Sequence, residues 1–231
     1  SDNEEKAVLA NMGAQQLYDR AKQSMEVGNF SAAAQTLSAL DSRYPFGPLS
    51  HQVQLDLIYS YYKSGKNEET LATIDRFIRL NPNHSDVDYA YYMRGLTNME
   101  SDSNLFQELM NIDRTDRDPS KSRAAFEDFR RLIQQYPDSK YAADAKQRMV
   151  HIKDRLARYE IAIARFYMRR QAYVAAANRG RYVIEHFSNT TQVQQALEIM
   201  VSSYEQLGLD ELRNNAMKTL KLNYPDSEFI S

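Results

Sequence analysis

The stretch Leu40-Asp41-Ser42-Arg43-Tyr44-Pro45-Phe46-Gly47-Pro48 decides the fold. It ends an apolar helical pattern and stops it. Proline offers no backbone N–H and pushes the residue before it out of helical conformation. The phrase recurs. Tyr44-Pro45, Asn81-Pro82, Tyr136-Pro137 and Tyr224-Pro225 each close a helical pattern, and Phe187-Ser188 is a degenerate fifth copy. The copies lie 37, 55, 51 and 37 residues apart. The chain is therefore a repeat of helical units, two of them lengthened.

A second marker sits some 15 to 17 residues before these phrases, at Gly28-Asn29-Phe30, Gly65-Lys66-Asn67, Gln171-Ala172-Tyr173 and Gly208-Leu209-Asp210. Glycine just past a helix end takes a left-handed backbone cheaply, so these are the tight turns of antiparallel helix pairs. Phe30 and Tyr173 are expected to pack across the pair. Small residues follow, in Ala32-Ala33-Ala34, Ala124-Ala125 and Ala175-Ala176-Ala177, and let paired helices approach closely. A helix pair of about 34 residues with proline near its end is the tetratricopeptide (TPR) unit. The expected fold is an all-α TPR-type solenoid of about five helix pairs. Its ten helices are 5–27 with 31–43, 49–63 with 68–79, 85–99 with 119–135, 138–170 with 174–186, and 190–207 with 210–222.

One helix is too long for a repeat. Tyr141, Ala145, Met149, Ile152, Leu156, Tyr159, Ile163 and Phe166 recur at steps of three and four, an amphipathic seam. A helix over 138–170 would run roughly 50 Å at about 1.5 Å per residue. It reads as a strut between an N-terminal lobe, 1–137 (repeats one to three), and a C-terminal lobe, 138–231 (repeats four and five). The polar stretch 100–118 reads as a surface insertion, with a helical turn near Leu105–Met110.

Composition agrees. Seven glycines and six prolines among 231 residues are few for an all-β chain. Cysteine is absent, which excludes disulfides and thiolate metal sites. No apolar run reaches the roughly 18 residues of a membrane-spanning helix. The polar start Ser1-Asp2-Asn3-Glu4-Glu5-Lys6 is no signal peptide; it fits a cytosolic start or a trimmed precursor.

Charge is sorted along the chain. Residues 1–120 carry 11 basic and 18 acidic side chains, whereas 140–186 carry 11 basic and 4 acidic. The basic stretch suggests a docking surface for an acidic protein. A net charge of −2 argues against nucleic acid as a partner.

Catalytic and cofactor motifs are missing. Neither a phosphate loop nor a dinucleotide fingerprint is present, and the glycines are scattered singly. His51, His84, His151 and His186 form no metal-spaced pair and read as packing or surface residues. In Asp113-Arg114-Thr115-Asp116-Arg117-Asp118-Pro119, arginines interrupt the acids and the calcium-loop glycine is missing, so the loop reads as self-paired and capping the next helix. The expectation is no catalytic site, no metal and no cofactor: a protein that binds other proteins. A co-chaperone clamp is disfavoured, since Tyr18, Lys22, Leu55 and Tyr59 hold the positions its Lys and Asn would need. Tyr59, Tyr61, Tyr62, Tyr89, Tyr91 and Tyr92 fall in the first helices of repeats two and three. Most read as core; the rest could floor a groove for an extended peptide.

Longer strings narrow the field. They are Arg43–Pro48 followed by Gln52-Val53-Gln54-Leu55-Asp56-Leu57-Ile58-Tyr59, then Ile74-Asp75-Arg76-Phe77-Ile78-Arg79-Leu80-Asn81-Pro82. Further on come Tyr92-Met93-Arg94-Gly95-Leu96-Thr97-Asn98-Met99, Asp113-Arg114 with Asp116–Pro119, and Lys153-Asp154-Arg155-Leu156-Ala157. Across nearly the whole chain, and less strongly after about residue 185, it resembles the BamD family, lipoproteins of the β-barrel assembly (BAM) machinery of Gram-negative outer membranes.

The resemblance implies five TPR units on the periplasmic face of the outer membrane, tethered by an acylated N-terminal cysteine that would immediately precede Ser1. It implies that the N-terminal repeats recognise unfolded barrel precursors, with Arg43, Tyr44, Phe46, Tyr59, Tyr62 and Arg76 as candidate contacts. It implies that the C-terminal repeats dock on the last POTRA domain of BamA, with Tyr167, Arg169, Arg170, Arg179 and Arg181 as candidates. The lipoproteins BamC and BamE are the other implied partners. The runner-up is a generic periplasmic TPR adaptor for extended peptides.

Overall fold

The computed structural model describes residues 2–102 and 118–230. Among them are eleven helices. They are α1 (Asp2–Ala10), α2 (Ala14–Glu26), α3 (Phe30–Arg43), α4 (Ser50–Lys63), α5 (Asn67–Leu80), α6 (Val87–Ser101), α7 (Ser120–Gln135), α8 (Ala142–Arg169), α9 (Tyr173–His186), α10 (Val193–Leu207) and α11 (Asp210–Asn223). Paired as α2–α3, α4–α5, α6–α7, α8–α9 and α10–α11, they form an all-α, TPR-type array. Most of the expected insertion, including Leu105–Met110 and Asp113–Arg117, lies outside the described residues. At its end, Asp118 Oδ1 accepts the Ser120 N–H at 3.0 Å, in front of α7.

Both sequence markers correspond to repeated backbone geometry. Gly28, Gly65 and Gly208 have φ of 80°, 76° and 69°, and Gln171 takes the same left-handed conformation at 60°. After each, the next N–H reaches back across the turn: Asn29 to Ser24 O (2.8 Å), Lys66 to Tyr61 O (2.9 Å), Ala172 to Tyr167 O (2.9 Å) and Leu209 to Tyr204 O (3.0 Å). These bonds satisfy carbonyls that a helix end leaves open. At the other turns, the N–H groups of Tyr44, Asn81, Tyr136, Phe187 and Tyr224 donate to Leu40, Phe77, Leu132, Val183 and Leu220 at 2.7–2.9 Å. All five acceptors are buried, so each phrase anchors a helix end on the core.

Three expectations need correction. The expected helix 5–27 is two helices. Gly13 is extended (φ −77°, ψ 171°) and starts α2, and its N–H donates to Gln16 Oε1 at 3.3 Å. Glycine and Asn11 propagate a helix poorly, which explains the break. The long helix is 28 residues rather than 33, because Ser139 and Tyr141 still belong to the preceding turn. Its seam also ends early: Ala145, Ile152 and Leu156 are buried, but Phe166 is 42% exposed.

The chain divides into two compact units, Ser1–Ser101 with Glu127–Ala145, and Asp102–Phe126 with Lys146–Ser231. The first is built around Leu17, Ala21, Ala34, Leu37, Leu40, Val53 and Leu57. Phe30 meets Tyr59 of the next pair edge-on at 5.5 Å. In the second, Leu197, Val201, Tyr204, Ala216 and Leu220 form the cluster. Gly180 lets α9 lie on α10, since a Cβ there would come 2.9 Å from the Ala196 carbonyl oxygen.

Candidate binding surfaces

In the first unit, the candidate contacts do not gather into one pocket. Arg43 Nη1 donates to Met12 O at 2.9 Å, tying the end of α3 to the loop before α2. It also edges a cavity of about 580 Å³ with Leu9, Ala34, Ser38, Tyr61 and Lys66. Beyond it the turn projects outward, with Tyr44 41% and Phe46 92% exposed. Arg76 is committed elsewhere, bound to the buried carboxylate of Asp41. Tyr62 is half-buried and lines neither this cavity nor the cleft below.

Tyr59 belongs to a separate cleft of about 270 Å³, lined by Gln52, Leu55, Asp56, Tyr59, Asp86, Tyr89 and Tyr141. Tyrosines dominate its surroundings. Tyr89 lies 5.6 Å from Tyr141, and Tyr92 stacks on Tyr141 at 4.8 Å. Tyr92 also donates to Asp144. Tyr91, by contrast, is buried against Tyr136 at 6.1 Å. The tyrosine groove expected from the sequence includes Tyr59 and Tyr89 of this cleft, but neither Asp56 nor Tyr141. A signal for Asp56 existed, as the only charged residue within the run Val53–Ile58.

Asp56 accepts from Tyr18 Oη at 3.0 Å and from Gln52 Nε2 at 3.0 Å. Burial, reinforced by the Asp56 carboxylate, pushes the Tyr18 phenol up to about 12. Burial raises Tyr89 in the same direction. A phenol whose folded pKa exceeds its unfolded value favours the folded state while neutral. That contribution is complete below the unfolded pKa of 10.0 and is lost as pH climbs towards about 12. Guanidinium midpoints measured from pH 9 upward should therefore fall steeply through this window, and the fall should be shallower in Tyr18→Phe.

In the second unit, the basic stretch proves largely self-paired. Glu160 is 2% exposed and takes Arg179 Nη1 at 2.8 Å and Arg123 Nη2 at 3.6 Å. The Glu160 hydrogen bond raises the Arg179 guanidinium above its usual range. Arg181 is spread between Asn178 (3.3 Å) and Glu185 (3.8 Å). Arg165 donates to Gln195 at 2.7 Å, and Arg155 is buried against Asp102. An exposed aromatic and basic patch lies at the end of α8. There Arg170 lies 4.6 Å above the Phe166 ring, and Tyr167 meets that ring edge-on at 5.8 Å. Arg169 edges a cavity of about 280 Å³ with Met168, Glu198, Ile199 and Phe229.

His51 and His84 pack ring to ring at 4.8 Å, with Phe77 beside them, as packing residues. Among the described residues, no group of three His, Cys, Asp or Glu side chains could hold a metal, and no helix is long and apolar enough to cross a membrane.

The fold defines a helical-repeat protein with exposed aromatic and basic surfaces. The chain belongs to the outer membrane lipoprotein family YfiO, whose profile it matches over residues 10–220. It is 47% identical to the outer membrane protein assembly factor BamD of Vibrio cholerae, covering 94% of this chain and 90% of that one. It is 40% identical to the BamD of Neisseria meningitidis serogroup A, covering 94% and 81%. Among solved structures it is similar to the MamA protein, at a TM-score of 0.44 and 16% identity over 93% of this chain and 95% of that one.

Proposed function

We propose that this chain is a non-enzymatic scaffold subunit of the outer-membrane β-barrel assembly machinery. The N-terminal repeats recognise segments of unfolded barrel precursors, and the C-terminal repeats dock on the POTRA region of BamA. The machinery's other lipoproteins, BamC and BamE, are further partners. The protein works at the periplasmic face of the outer membrane, held there by a lipid anchor. Membership of a family whose relatives are named for outer membrane protein assembly carries this reading.

Geometry supports the division of labour. The exposed Phe46 turn and the tyrosine cleft belong to the first unit, and the Phe166–Arg170 patch to the second. The patch offers an apolar ring and exposed guanidiniums, which suits an acidic partner surface with an apolar centre. Arg169 and Arg170 are better test positions than Arg179, because they hold no buried carboxylate. The double variant Arg169→Glu/Arg170→Glu should retain less than about a tenth of the wild-type affinity for purified BamA POTRA domains. Undiminished binding would remove this surface from the interface.

A further inference from the structure

Five carboxylates are buried among the described residues: Asp41, Asp56, Asp102, Asp128 and Glu160. Four of them hold an arginine. Asp41 takes Arg76, Asp102 takes Arg155, Asp128 takes Arg94 Nε at 2.8 Å, and Glu160 takes Arg179 and Arg123. Asp56 is the exception. It is 8% exposed, and among the described residues its two oxygens are met only by the neutral donors Tyr18 Oη and Gln52 Nε2. A carboxylate withdrawn from water is costly unless a cation or several hydrogen bonds compensate it. Two neutral bonds leave lone pairs on both oxygens.

Asp56 lines the tyrosine cleft. Its neighbours there are the rings of Tyr59, Tyr89 and Tyr141 and a second carboxylate, Asp86. Among the described residues, no basic side chain lines the cleft. The negative face of an aromatic ring attracts a guanidinium or ammonium group. The Tyr141 ring already has Lys140 Nζ 5.3 Å from its centre, which shows that it tolerates a cation.

We infer that this cleft receives an arginine or lysine side chain of a bound polypeptide, with Asp56 as its counter-charge and the tyrosine rings as its walls. The cation that the chain itself supplies at the other four sites comes here from the ligand. This rests on the reading that the first unit takes extended polypeptide, and it adds a sequence requirement: a cationic residue within the recognised segment. It also disfavours a free carboxylate at this point, since Asp56 and Asp86 would repel one.

The test uses two fluorescein-labelled peptides of alternating aromatic and polar residues. One carries a central arginine; the other carries citrulline there, which keeps the shape and removes the charge. Fluorescence anisotropy with the whole chain should show the arginine peptide binding about tenfold tighter or more. Asp56→Asn, which keeps the side chain's size, should bind both peptides alike. Tyr59→Leu, on the exposed wall of the cleft, should lower the preference several-fold and serves should Asp56→Asn not fold. A preference left undiminished in either folded variant overturns the inference. Equal binding of both peptides by the wild type overturns it while leaving the peptide-binding reading intact. If the wild type binds neither peptide, both fall.

Discussion

Gly95→Val is expected to lower the stability of the first unit by about 3 kcal/mol, read as a fall in the guanidinium midpoint. Gly95 sits inside α6, where glycine ordinarily weakens a helix by about 1 kcal/mol relative to alanine. Its presence therefore needs a packing reason. A Cβ built there would meet three atoms of the Phe129 ring at 2.4, 2.6 and 2.8 Å. Phe129 is fully buried on α7, so the ring has nowhere to turn. Valine adds two methyl groups to that clash and stiffens the side chain as well. Even Gly95→Ala should destabilise, because overpacking of roughly 1–3 kcal/mol outweighs the propensity gain. A stabilised alanine variant would mean that α6 and α7 can separate at little cost.

Arg179→Glu has the second large effect, and it is on folding before it is on binding. The substitution places a carboxylate against Glu160 and removes the nearer of its two arginines. Like charges about 4 Å apart repel by about 4 kcal/mol at an effective dielectric of 20. Arg179 is 41% exposed, so solvent screens part of this, and a loss of roughly 2–3 kcal/mol is expected. Chemical unfolding should show the drop, and Arg179→Met should show a smaller one. A variant as stable as the wild type would mean that Arg123 alone compensates Glu160. Reduced affinity of Arg179→Glu for any partner needs this comparison before it is assigned to an interface.

Backbone punctuation was the most legible part of the sequence. Tyrosine–proline and glycine–asparagine phrases act locally, so they can be read without knowing their neighbours in space. The same logic located the turn at Gln171, although a glutamine stands where glycine is usual. Gly13 was harder, because one glycine within a helical pattern is compatible with either continuation or a break. Charge was legible as a count but not as a surface. The basic residues of 140–186 read as one patch, whereas Arg155 and Arg179 are turned onto acids 53 and 19 residues away. Such pairings are tertiary, and no period in the sequence encodes them. The cleft shows the same limit: Tyr59 could be proposed from its helix, but Asp56 and Tyr141 meet only when α4 and the start of α8 come together.

The break at Gly13 matters for how the chain carries load. α1 buries one side chain, Leu9, and the Arg43–Met12 hydrogen bond ties down the segment joining it to α2. Leu17 and Ala21, by contrast, lock α2 into the main cluster. Elements in series yield at the weakest one first. Tension applied from the Asp2 side would strip off α1 and lengthen the chain by roughly 1.8–2.1 Å for each residue pulled from helix to extended form. The repeats behind it would feel little force until that slack was spent. Under such tension the short first helix would act as a mechanical fuse for the surfaces that follow.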